Sequence, residues 1–226
     1  MRLIGDHYRI PEGTHRSWQG CNLDLTGVTI DGDTDFTGAV FSGGTVTFGG
    51  ATFSGGMVNL SGATFSGGVM NFSGATFSGG NMNFEAARFS GGSVDFRRST
   101  FSDGNMIFVR ATFSGGEVNF EAAVFSGGTV HFGNATFSGG NVHFNSATFS
   151  GGVAHFNFAT FSGGVVHFNV ATFSGGIVYF GSASFSGGNV HFEGTRGPVP
   201  VGLLEAVGTP APSEVRLRAD WLPPNP

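Results

Sequence analysis

Two short triplets, each apolar–x–apolar, alternate along most of this chain. One is Ala-x-Phe, as in Ala51-Thr52-Phe53 and Ala63-Thr64-Phe65. The other is Val-x-Phe, as in Val118-Asn119-Phe120 and Val130-His131-Phe132. A period of two is the mark of a β-strand, with the outer residues of each triplet facing a core and the middle one facing away. Each predicted strand is about three residues long, and no helical pattern follows any of them. Joined by their connecting residues, the triplets form a twelve-residue repeat, A-T-F-S-G-G-x-V-x-F-x-x. F-S-G-G begins at Phe41, Phe53, Phe65, Phe77, Phe89, Phe113, Phe125, Phe137, Phe149, Phe161, Phe173 and Phe185, with one F-S-D-G copy at Phe101.

Strands this short and this strictly spaced predict an all-β solenoid. Winding the chain lets every strand pair with its equivalent one coil away, so that like residues stack on like at a spacing of about 4.8 Å. Phe53, Val58, Phe65, Phe72, Phe96, Phe120, Phe132, Phe144, Phe156 and Phe168 are then predicted core residues. The second glycine of the corner never varies, as at Gly44, Gly56, Gly104 and Gly116, while the first varies once, to Asp103. A positive φ at the second glycine is the expected cause, since a Cβ would be penalised there.

At these residues the sequence resembles the pentapeptide-repeat proteins, whose motif is roughly A-(D/N)-L-x-x. Ala-Thr-Phe-Ser-Gly matches it with Thr in place of Asp or Asn, and Val-x-Phe-x-x matches it with Val in the small position. The two extra residues of the Gly-Gly corner are a departure from the family pattern. The resemblance spans about Leu23 to Phe192. It implies a right-handed quadrilateral β-helix with four faces, two repeats and so about 24 residues per coil. The opening triplets, centred on Leu25, Ile30, Phe36 and Phe41, are close to plain pentapeptide spacing and agree with that. Charge agrees too: coils of one repeat would stack Arg98 on Arg110, whereas coils of two repeats separate them and set Arg97 over Glu121. The alternative is a thin two-faced coil of one repeat, about 12 residues per turn. About 29 faces give seven coils and a rod of about 34 Å in the first case, and about 70 Å in the second.

The ends read differently. Residues 1–22 form a predicted N-terminal cap, with Leu3, Ile4, Tyr8, Ile10 and Trp18 available to cover one end of the 23–192 solenoid. Residues 193–226 form a C-terminal cap and tail. They hold a possible short helix at 201–207 closed by Gly208, a strand-like stretch at 214–218, Trp221-Leu222 as an anchor, and a loose Pro223-Pro224-Asn225-Pro226.

Composition excludes several function classes. Glycine occurs 41 times and phenylalanine 27 times, and charged residues make up 11 %. The regular Phe and Val spacing argues against disorder. Net charge is −5, but the repeat body holds five acids against four arginines, so it lacks the cationic stripe that nucleic-acid binding needs. Lysine is absent. Cys21 stands alone, which excludes an intrachain disulfide and fits a reducing compartment. The opening Met1-Arg2-Leu3-Ile4-Gly5-Asp6-His7 has no apolar h-region, and no apolar run approaches about 18 residues, so neither a signal peptide nor a membrane span is predicted and a cytoplasmic location is expected.

Candidate chemistry sits in the outward columns. The Val-x-Phe column runs Thr47, Asn59, Asn71, Asn83, Asp95, Ile107, Asn119, His131, His143, His155, His167, Tyr179, His191. If consecutive repeats were adjacent rungs, the imidazoles of His131, His143, His155, His167 and His191 would lie about 5 Å apart, as weak candidates for metal binding or pH response. A solvated polar ladder produced by repeat duplication explains the column equally, and no carboxylate or Cys completes a ligand set. The Ala-x-Phe column is mainly threonine. It resembles the arrays of ice-binding proteins, which carry paired T-x-T ranks, but each strand here gives one Thr, with Arg88 and Val124 interrupting. The Arg and Glu residues between Glu85 and Glu121 read as a contact patch or a solvated face. No nucleophile elbow and no G-x-G-x-x-G between strand and helix is present, and a packed Phe core leaves no pocket, so no catalytic residues and no cofactor are expected. The leading expectation is a non-enzymatic structural or protein-interaction module of unknown partner, monomeric or paired through its ends or edges. The resemblance also implies an alternative, since some members of that family mimic DNA, bind DNA gyrase and confer quinolone resistance. That role depends on a strongly acidic rod, which this body is not.

Overall fold

In a computed structural model the chain winds as a parallel β-solenoid; residues 2–222 are described. Every strand pairs in parallel with the one a coil away, and the register advances by two repeats through the body: Thr52 on Thr76, Thr76 on Thr100, Phe77 on Phe101, Thr136 on Thr160. The first coil is one residue shorter on two faces, pairing Leu23 with Val46 and Thr29 with Thr52. Each coil thus holds two repeats and four faces. In one coil these are Thr52–Phe53, Met57–Asn59, Thr64–Phe65 and Val69–Asn71, the first to fourth faces in order. The thin one-repeat coil is excluded, because strands of consecutive repeats do not pair with each other.

The first and second faces are separate seven-stranded sheets. The third and fourth merge into one twelve-stranded sheet. The merger arises because Arg88–Asp95, Thr112–Asn119, Thr136–His143 and Thr160–His167 continue as strands through the Ser-Gly-Gly corner.

The core is a set of aromatic columns. Four inward rings per coil stack on their equivalents: Phe53 on Phe77 at 4.7 Å, Phe65 on Phe89 at 4.8 Å, Phe84 on Phe108 at 4.7 Å and Phe96 on Phe120 at 4.8 Å, each within 9° of parallel. Rings of the second and fourth faces meet edge-to-face across the axis, as Phe84 does with Phe96 at 6.2 Å and 87°. Each such contact adds about 0.5–1.5 kcal/mol beyond the area it buries. Leu60 fills one ring position and is fully buried. The inward Ala residues are buried as well and set how closely the faces approach.

The corner glycines answer to a tighter constraint than φ alone. Gly44, Gly56, Gly104 and Gly116 do have positive φ, at 68°, 69°, 80° and 70°. Gly68, Gly140 and Gly176 do not, yet a Cβ on them would stand 2.8, 2.5 and 2.6 Å from a carbonyl oxygen of the coil below. The two extra residues bring corner backbones against one another, and that contact is what demands glycine. The Asp103 side chain is exposed and accepts the Gly104 N–H at 2.7 Å.

Both ends are covered. Helix α1, Arg2–Arg9, lies across the first coil. Its Tyr8 is fully buried 5.0 Å from the Phe41 ring, and burial pushes the pKa of the Tyr8 hydroxyl up to about 12. A Cβ on Gly5 would fall 1.9 Å from the Asp35 carbonyl oxygen, so the helix approaches the coil this closely only with glycine there. His7 stacks on Trp18 at 4.4 Å. At the other end, the five-residue helix α2, Leu203–Val207, buries Leu203 and Val207. Val215–Arg216 adds a strand to the fourth face, and Trp221 meets Phe192 at 5.8 Å. The expected covering role of the Leu3 side chain and the expected loose Pro223–Pro226 lie outside the described residues.

Two measurements check this architecture. In a Cys21→Ser background, Thr136→Cys with Thr160→Cys should form a disulfide under mild oxidation, because registered strands bring their Cα atoms within disulfide range. Thr136→Cys with Thr148→Cys should not, and the reverse outcome would refute the two-repeat coil. In denaturant melts, Phe120→Ala should cost about 3–5 kcal/mol through the cavity it leaves.

Candidate functional site

The two-repeat coil divides the outward column in two. Asp35, Asn59, Asn83, Ile107, His131, His155 and Tyr179 stack on the second face. Thr47, Asn71, Asp95, Asn119, His143, His167 and His191 stack on the fourth, which lies opposite. The expectation that consecutive repeats make neighbouring imidazoles is therefore corrected: His131 and His143 lie on opposite sides of the rod. Within each face the rings do touch. His131 stacks on His155 at 4.7 Å and His155 on Tyr179 at 5.1 Å. His143 stacks on His167 at 5.1 Å, and His167 meets His191 edge-on at 5.0 Å.

The column has two different local chemistries. Through the N-terminal half its Asx side chains cap the next turn. Asn59 accepts the Ser61 N–H at 3.1 Å, Asn71 that of Ser73 at 2.8 Å, Asn83 that of Glu85 at 2.9 Å, and Asn119 that of Glu121 at 2.9 Å. Asp95 accepts the Arg97 N–H at 2.9 Å and also grips the Arg97 guanidinium at 2.6 Å. The expected stacking of Arg97 on Glu121 is thus secondary to this pair. In the C-terminal half histidine replaces the capping residue and asparagine appears two positions later, at Asn145, Asn157 and Asn169. On the second face Asn157 Nδ2 donates to His155 Nδ1 at 3.4 Å. On the fourth, Asn145 Oδ1, Asn169 Oδ1 and His167 Nδ1 are buried without a hydrogen-bond partner.

Burial lowers the pKa of His131, His155 and His167. The neighbouring His155 lowers His131 further, and His143 and His191 do the same to His167. The fold thereby favours the neutral form of these three rings. As a metal site the ladders are poor. A lone pair lies in its ring plane, so the parallel pairs His131–His155 and His143–His167, stacked about 5 Å apart, cannot each aim two nitrogens at one ion. Among the described residues no three His, Cys, Asp or Glu are grouped to hold a metal, and the carboxylate paired with a ladder ring is Glu117, 3.9 Å from His143 Nε2.

A second feature is not marked by any motif. The residue two places after each Val-x-Phe phenylalanine adopts a left-handed backbone. Glycine serves at Gly50, Gly62 and Gly74, but later copies place Ala86, Arg98, Arg110, Ala122, Asn134, Ser146, Phe158, Val170 and Ser182 there, all with φ between 55° and 59°. Phe158 is 61 % exposed and Val170 50 %. A bulky or β-branched residue in this conformation is a steric outlier, and left-handed backbone costs an L-residue about 1–2 kcal/mol. Gly50, Gly62 and Gly74 are the trace of this conformation in the early copies, and the arginines, Phe158 and Val170 at the same position in later copies mask it.

The gap between Phe77, Met82, Phe101 and Met106 holds about 10 Å³, too small for more than one water. An open polar hollow of about 450 Å³ lies beside Arg97, Arg98 and Glu121. An apolar groove of about 220 Å³ opens at the C-terminal end between Phe173, Ile177, Val178, Pro198, Val199 and Val201. No described helix is long and apolar enough to cross a membrane. The threonine ranks split as well, onto the first and third faces, with Arg88 and Val124 breaking them.

Comparison with known proteins gives three findings. The family model described as pentapeptide repeats (9 copies) matches residues 18–64 and 60–107. No curated protein matches the chain. Among solved structures, the chain is similar to HetL, a pentapeptide repeat protein involved in heterocyst differentiation regulation from the cyanobacterium Nostoc sp. strain PCC 7120, at 17 % identity over 87 % of this chain and 94 % of that one, with a TM-score of 0.22. It is also similar to QnrB1, a plasmid-mediated fluoroquinolone resistance protein, at 18 % identity over 75 % and 89 %, with a TM-score of 0.23.

The column chemistry can be tested at single residues. Asn119→Ala removes a turn cap and should cost about 0.5–1.5 kcal/mol in a denaturant melt, more than an idle surface residue would. Zn²⁺ or Ni²⁺ at micromolar concentration should leave the thermal midpoint unchanged, and a rise of several degrees that His143→Asn abolishes would show a metal site in the ladder.

Proposed function

Residues 18–107 match the pentapeptide-repeat model, and we propose that the chain is a non-enzymatic interaction rod of that kind whose C-terminal half docks a protein partner. One observation carries the reading: exposed large apolar residues gather toward the C-terminal end. Phe158, Val170, Ile177, Val201, Leu204 and Leu222 all lie in the last third of the chain, against Met57 and Val69 before it. Two of them also occupy left-handed backbone positions that smaller or polar residues fill elsewhere. Strain and exposure together make Phe158 and Val170 unfavourable for the fold, and residues kept against stability are candidates for contact. Exposed aromatic anchors are the usual carriers of interface energy. The wound body offers a rigid scaffold on which such contacts need no ordering.

The gyrase-binding reading has less to rest on. DNA mimicry needs long acidic ranks, and the outward columns here are Asn, Thr and His, with Asp95 already engaged by Arg97. Purified protein at micromolar concentration should leave gyrase supercoiling unaffected, and clear inhibition or protection would favour mimicry over the apolar surface.

The docking reading is tested by Phe158→Asn. Asparagine tolerates the left-handed conformation, so the variant should melt at or above the wild-type temperature. In a pull-down from the source cell, a protein retained by wild type should be lost with Phe158→Asn. Equal capture by both would sink the proposal.

A further inference from the structure

The histidine ladders are confined to one half of the rod, and that asymmetry has a physical consequence. Between Thr129 and His191 five imidazoles stand in two columns on opposite faces, in contact with one another at 4.7–5.1 Å. Equivalent positions in the preceding coils hold Asn59, Asn71, Asn83, Asp95 and Asn119, which do not change charge as a histidine does near neutral pH. A solenoid is stabilised coil by coil, so a change in the coupling between a few coils acts locally.

We propose that the C-terminal coils form an acid-sensitive segment, which opens from its capped end when the two histidine ladders become charged while the N-terminal coils stay wound. The groups facing each ladder allow this. On the second face, His131 lies between Ile107 and His155, and His155 between His131 and Tyr179, with Asn157 beside it and no carboxylate bonded to either ring. On the fourth, His143 stacks over Asn119 with Glu117 3.9 Å away, His167 lies between His143 and His191, and His191 lies beneath Arg216. Arg216 is itself paired with Glu193, 3.4 Å away, and Glu193 is the one acid that opposes the lowering at His167. Two acids thus face three histidines and an arginine, and one of the two is already shared with that arginine. Charged imidazoles stacked along a strand column are like charges directly opposed, which destabilises pairing.

The sign follows from the lowered affinities of His131, His155 and His167 for protons. A group whose folded pKa lies below its unfolded value contributes stability that is complete above the unfolded value, near 6.5, and is lost as pH falls below it. The opened segment then binds more protons than the wound one. Each such histidine can raise the opening constant by up to about tenfold per pH unit. Opening would begin at the Trp221 cap and uncover the strand edges of the last wound coil.

Hydrogen exchange read by mass spectrometry from pH 7.5 to 5, corrected for intrinsic rates, tests this. Opening constants for peptides within 129–192 should rise at least tenfold, and those within 52–119 should stay nearly constant. The five-site variant, His131→Asn, His143→Asn, His155→Asn, His167→Asn and His191→Asn, carries the residue that the other coils use and should lose the difference. An equal rise in both halves, or a difference that survives in the variant, would overturn the proposal. Should the variant not fold, an NMR titration of the wild-type rings decides the matter: midpoints for His131, His155 and His167 below 6.5 support it, and midpoints at or above 6.5 refute it.

Discussion

The distance between successive coils governs this molecule. Parallel strands hydrogen-bond at about 4.8 Å, and every other contact in the rod inherits that spacing. It suits aromatic rings, which stack at 4.7–5.1 Å through most of the phenylalanine columns and part to 5.4 Å at Phe149–Phe173 near the C-terminal end. It is hostile to anything larger than glycine where two corner backbones meet. The same spacing therefore explains why the core is phenylalanine, why the corners are glycine and why both are so nearly invariant.

The outward columns feel that spacing without being fixed by it. A polar residue there has neighbours above and below at one strand spacing, whatever its type. Asparagine uses the position to close its own turn, so its stacking neighbours matter little. Histidine gives up that cap and instead stacks on its neighbours, and at His131, His155 and His167 burial lowers the affinity for a proton. The change from one to the other between Asn119 and His131 divides a uniform rod into two halves with different chemistry. The strained Phe158 and Val170 lie in the second half as well, as do the apolar groove and the exposed residues of the C-terminal cap. Whatever this protein contacts, its distinctive surface is at that end.

The two faces that bear ladders are opposite one another because a coil holds two repeats. Each feature of the twelve-residue unit is accordingly presented twice, half a turn apart, as with His155 beside Phe158 and His167 beside Val170. A single-sided contact engages only one of the two sets. The doubled presentation is a geometric result of winding.

The sequence by itself determined the strands, their inward and outward residues, the solenoid and its repeat. These are properties of neighbours in the chain: alternation at period two, and glycine at fixed offsets. It also favoured the quadrilateral coil, through the near-plain spacing of the first triplets and the repulsion that shorter coils would impose on Arg98 and Arg110. Tertiary structure alone decided which repeats are neighbours. That choice lifted His143 away from His131 and laid it under His167, and it turned one histidine column into two. It also revealed that the variable residue two places after each Val-x-Phe phenylalanine is left-handed, since glycine in three early copies does not announce a conformation that arginine, phenylalanine and valine accept later. The physical reason is the same in both cases. Local patterning fixes how a segment bends and which side it buries, but contacts between residues two repeats apart, and the strain that those contacts can hold in place, exist only once the coil has closed.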